Sequence, residues 1–216
     1  MTNLRNHLRF STRPLNRRYI LAAGLTLFAA PTSLVQAATN SRRSSLQSDA
    51  SIHLLRGFAN IFSRGLDQIA TDLRSAGIEA IVHNHSAWRS VAATIIADYK
   101  SGQKRSVVLI GHSLGANAII SISEELAENG IRVDLLASFA ATAPAPIPRN
   151  VKHAINYYFS ENGWGLPLVA GPRFKGKLEN RDYSRAKDIG HFNIDKQRAL
   201  QVEVERQIML IVKRRT

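Results

Sequence analysis

The sequence predicts an α/β fold, a three-layer sandwich around a mostly parallel central sheet. First, short apolar runs alternate with amphipathic helical runs from Ile52 onward. Second, the apolar run Val107-Val108-Leu109-Ile110 leads directly into Gly111-His112-Ser113-Leu114-Gly115 and then a helical stretch. That strand–turn–helix setting exposes a serine hydroxyl at the C-terminal edge of a sheet, and its two glycines spare the sharp turn any crushed side chains. Third, about 180 residues follow an export-like leader, enough for one well-cored domain and too few for two.

The leader is residues 1–37, with Arg5, Arg9, Arg13, Arg17 and Arg18, no acid, a mostly apolar Tyr19–Ala30 segment and a small-x-small site at Val35-Gln36-Ala37. Its apolar segment is short for a membrane span, which needs about 20 residues, although an uncleaved anchor is the alternative. Asn16-Arg17-Arg18-Tyr19-Ile20-Leu21 resembles a twin-arginine export signal, with an ordinary secretion signal as the other option. The expected location is therefore the periplasm or the exterior. Residues 38–51 are polar, rich in serine and arginine, and read as a flexible lead-in. Residues 52–216 form the predicted single domain.

Within that domain, Ile52–Leu55 is predicted as a strand, Gly65–Ala76 as a helix with Leu66, Ile69, Ala70 and Leu73 on one face, and Ala80–Val82 as a strand. A helix over Ala87–Lys100 buries Val91, Ile95 and Ile96. Ser106–Ile110 feeds the serine turn, Leu114–Glu128 is the helix leaving it, and Val133–Phe139 and His153–Phe159 are further strands. Gly163–Asp188 reads as irregular, and Asp195 as the cap of a closing helix on which Leu200, Val204, Ile208 and Ile211 share a face.

Composition narrows the chemistry. No cysteine is present, which excludes thiolate catalysis and cysteine-based metal sites. Of the +13 formal charge, five units are leader arginines, leaving about +8 scattered over the domain. That suits a solvated surface or weak contact with anionic envelope surfaces; no nucleic-acid-reading motif accompanies it. The histidines are dispersed, without a helical His-x-x-x-His pair, so neither metal nor organic cofactor is called for. Oligomeric state is not legible.

A serine hydroxyl becomes nucleophilic when a neighbouring base takes its proton, and histidine is the usual base. From about Ile52 to Val212, most specifically at Val107–Gly115 and Gly190–His191, the chain resembles small α/β-hydrolases of the serine esterase, lipase and thioesterase group. The resemblance implies a reduced α/β-hydrolase-like sandwich and hydrolysis of an acyl ester or thioester through an acyl-serine intermediate. It also implies the chain order nucleophile, acid, histidine. Ser113 is then the nucleophile and His191 the base, because His153 starts its strand at the wrong edge of the sheet. His83 and His85 end an earlier strand and read as surface loop residues, with a place in the pocket lining as the alternative. The oxyanion donors are expected to be the N–H of Leu114 and that of Phe58 or Ala59, in the loop after the first strand.

The acid is the weak link. Lipase-like relatives often carry an aspartate where this chain has Ala140. Glu161, one strand later, is the expected replacement, with Asp188 and Asp182 as alternatives. Two further functional classes therefore stand beside the exported hydrolase: an envelope binding protein retaining the fold, and a peptidase or acyltransferase using the same Ser–His pair. Trp164, Leu166, Pro167 and Leu168, within Gly163–Gly176, form a predicted flap over an open pocket suited to soluble or short-chain esters.

Overall fold

The structure, a computed structural model, describes residues 49–58, 61–161 and 164–213. The expected leader, nearly all of the lead-in, Ala59, Gly163 and the last three residues lie outside these. The strands are β1 (Ala50–Arg56), β2 (Ile81–Asn84), β3 (Ser106–His112), β4 (Leu135–Phe139), β5 (His153–Tyr158) and β6 (Lys177–Asp182). The helices are α1 (Arg64–Ser75), α2 (Trp88–Lys100), α3 (Leu114–Glu128) and α4 (Arg198–Lys213). The six strands pair in parallel in the order β2-β1-β3-β4-β5-β6.

Successive side chains of a strand point to opposite faces, so a strand covered on both sides must be apolar throughout. In β3, Val108 and Ile110 enter a core shared with α1 and α4, whereas Val107 and Leu109 enter one shared with α2 and α3. The first core takes Leu66, Ile69 and Leu73 of α1 and Leu200, Val204 and Ile208 of α4; the second takes Val91 and Ile95 of α2 and Ile119, Ile122 and Leu126 of α3. Helix, sheet and helix make three layers.

The strand order reverses beside β1, which has β2 on one side and β3 on the other. The helices following β1 and β3 leave for opposite faces, and the loops at those two strand ends part. A crevice at the C-terminal edge is the consequence.

Two elements depart from expectation. Residues 177–182, read as irregular, form edge strand β6. Its sequence Lys-Leu-Glu-Asn-Arg-Asp has no apolar alternation because it pairs on one side only, where polar side chains are the norm. His153 at the start of β5 meets Glu179 of β6 at 2.6 Å, a structural pair far from Ser113's edge of the sheet. Asp195 does not cap its own helix, which starts after the short helical turn Ile194–Lys196. Its carboxylate accepts instead from the Gly65 N–H at 2.8 Å, capping α1 from across the domain.

Candidate active site

Ser113 sits between β3 and α3 with φ 58° and ψ −122°, a backbone that side-chain-bearing residues rarely adopt. The flanking glycines permit it through close approach. A Cβ on Gly115 would stand 1.9 Å from the Leu55 carbonyl oxygen, and one on Gly111 would stand 2.3 Å from that of Gly115. The Ser113 N–H donates to Phe139 O at 2.9 Å, which ties the turn to the end of β4.

His191 Nε2 lies 3.0 Å from Ser113 Oγ. The ring's Nδ1 lies 3.1 Å from the carbonyl oxygen of Trp164, an acceptor only, so Nδ1 carries the proton and Nε2 presents its lone pair to the serine. Burial pushes the His191 pKa below its ordinary value; the Trp164 carbonyl opposes this, His112 adds to it, and Asp195 opposes it through space.

No carboxylate meets the ring among the described residues, and Glu161 needs correction on this point. Glu161 is exposed, and its N–H donates to Ser184 Oγ at 3.0 Å, while the ring position expected for its carboxylate is filled by Trp164 O. Asp182 is committed to the hydroxyl and amide donors of Ser160 and Ser184, which hold its pKa well below the usual carboxylate range. Asp188 is exposed, and its backbone carbonyl accepts from Asn193 Nδ2 at 2.8 Å.

The segment 164–166 explains the substitution physically. Gly165, with φ 136°, packs on the buried Ala140, and a Cβ there would stand 3.0 Å from the Ala140 Cβ. Its carbonyl accepts from Phe159 N–H at 3.1 Å, and Leu166 N–H donates to Ala141 O at 2.7 Å. This strap covers Ala140 and delivers a backbone oxygen to the histidine.

Two residues in the site, His112 and Ser63, escaped the sequence reading. His112, the variable residue of the Gly-x-Ser turn, lies with Nδ1 2.7 Å from Ser63 Oγ and Nε2 2.7 Å from His191 O. Ser63 in turn accepts from the Gly57 N–H at 2.8 Å. His85 Nδ1 lies 3.3 Å from Gly57 O, so it holds the loop after β1 rather than standing free on the surface. His83 instead pairs with His53 of β1 at 2.9 Å.

A cavity of about 430 Å³ opens beside Ser113 and His191. Phe58, Phe62, Leu114, Trp164 and Phe192 supply its apolar walls, and among the described residues its lining holds no Asp, Glu, Lys or Arg. Phe58, Trp164, Phe192 and Phe62 are 70%, 58%, 50% and 44% exposed, an aromatic rim at the mouth. Among the described residues, no group of three metal-ligating side chains occurs. Compared with known proteins, the chain matches no family model and no curated protein.

Proposed function

We propose that the protein is a serine hydrolase of the α/β-hydrolase type, cleaving an ester or thioester whose acyl group is apolar. The observation that carries this is the 3.0 Å pair of Ser113 Oγ and His191 Nε2, with the histidine in the tautomer that can accept a proton. Ser113 attacks the acyl carbonyl as Nε2 takes its proton. The imidazolium then protonates the leaving alcohol or thiol, and water repeats the sequence on the acyl-serine.

The developing oxyanion needs two aimed donors. Leu114 begins α3, where an N–H has no carbonyl partner within its own helix. Phe58 is the second. The Gly57 carbonyl is turned to His85, so the same trans peptide aims the Phe58 N–H the opposite way. An uncharged, aromatic-walled cavity next to the nucleophile favours an apolar acyl group over a charged one. The export-like leader favours an envelope or external setting.

One observation favours the second reading, a binding protein. An orienting carboxylate is worth about 10⁴ in kcat in serine proteases, and here a neutral carbonyl replaces it. A series of p-nitrophenyl esters from acetate to octanoate separates the two. A hydrolase gives turnover that vanishes in Ser113→Ala, with kcat/KM rising about four-fold per methylene until the cavity is full. Folded protein that turns over none of the series supports the binding protein.

A further inference from the structure

We propose that His112 and Ser63 are positioning residues for the Ser113–His191 pair, an inference that rests on the hydrolase function above. The hydrogen bonds run in one direction. The Gly57 N–H donates to Ser63 Oγ at 2.8 Å, and the Ser63 hydroxyl donates to His112 Nδ1 at 2.7 Å. His112 Nε2–H then donates to the His191 carbonyl oxygen at 2.7 Å. The His191 carbonyl can only accept, so Nε2 of His112 carries a proton. Burial pushes the His112 pKa down to about 4, so the ring is neutral and its bare Nδ1 takes the Ser63 hydroxyl proton as acceptor.

Ser63 and His112 are 0% and 1% exposed, so water does not compete for these bonds. The hydrogen-bond chain joins three segments: the loop after β1 that carries Phe58, the residue preceding Ser113 at the end of β3, and the loop that carries His191. The imidazole of His191 is held by Trp164, but its backbone is held by His112. Loss of the second anchor frees the ring to leave Ser113 while the first bond is intact. A sub-ångström displacement of a catalytic group is enough to cost rate.

The test uses His112→Phe, which keeps the ring's bulk without its nitrogens, His112→Gln, which restores a donor and an acceptor, and Ser63→Ala. Two readouts are taken on folded protein: the rate at which a fluorophosphonate modifies Ser113, and the ¹⁵N imidazole spectrum of His191. His112→Phe and Ser63→Ala are expected to slow modification about 10- to 100-fold and to replace the single Nδ1–H tautomer of His191 by a mixture. Combining Ser63→Ala with His112→Phe adds little, because both break one chain. His112→Gln recovers most of the rate. A folded His112→Phe or Ser63→Ala protein with the parent's rate and a single His191 tautomer overturns the proposal. If the parent itself is not modified, the hydrolase function falls, and the His191 spectrum alone decides the positioning role.

Discussion

A base serves a serine only while it is neutral and aimed at the hydroxyl. His191 meets both conditions without a carboxylate, through the Trp164 carbonyl at 3.1 Å. Its lowered pKa has a direct consequence, since the unprotonated form is the active one and persists further into acid. The acid limb of kcat/KM is expected to lie below pH 6.5, the ordinary histidine value, in a pH–rate profile. Replacing Glu161 by Gln should leave kcat within about two-fold, whereas His191→Ala should lower it on the order of 10⁴-fold or more. The meeting of Ser113 and His191 was legible because the turn and the loop that carry them are marked by their own residues. The orienting group was not, since every residue carries a carbonyl and no sequence pattern marks the one that will face a ring. His112 did carry a signal, as a histidine inside the turn itself, but the chain order nucleophile, acid, histidine points only downstream of the serine.

At the scale of elements, the strap 164–166 and the cap on α1 bear the site's geometry. Gly165→Ala is expected to lower the melting temperature and the esterase rate together, because its Cβ would press on Ala140 and shift the carbonyl that holds His191. Asp195 holds α1 at a cost. Burial raises its pKa to about 6 against an ordinary 3.8, and its Oδ1 is buried with no hydrogen-bond partner. A raised folded-state pKa means that stability is complete below pH 3.8 and is lost as pH climbs through about 6. Asp195→Asn keeps an acceptor for Gly65 while removing the charge. It should raise stability at pH 7, by up to about 3 kcal/mol, and flatten the pH dependence between 4 and 6 in urea titrations. The same residue read from sequence as a cap on its neighbouring helix, because a side chain's reach across the fold leaves no trace in local spacing. Edge strand β6 escaped for a related reason: its partner was a strand, not a core, and polar pairs such as His153–Glu179 replaced the apolar alternation that marks buried strands.

Across the whole molecule, the alternation of elements and the β3–Ser113–α3 junction foretold the layered sheet, because strands covered on both faces must be apolar and helices covered on one must be striped. Strand order was not legible, and it decides where the crevice opens. With β1 between β2 and β3, the loop bearing Phe58 and the turn bearing Ser113 face each other across the point where the sheet reverses. His191 arrives from near the far end of the chain, docked there by the packing of α4 against α1. The most direct measurement is peptide-mapped mass spectrometry after brief fluorophosphonate treatment of the folded protein and its His191→Ala variant. A single adduct on Ser113 of the parent, with none on the variant over the same interval, is the predicted result. An unmodified Ser113 in the parent, or equal modification of both proteins, would contradict the account.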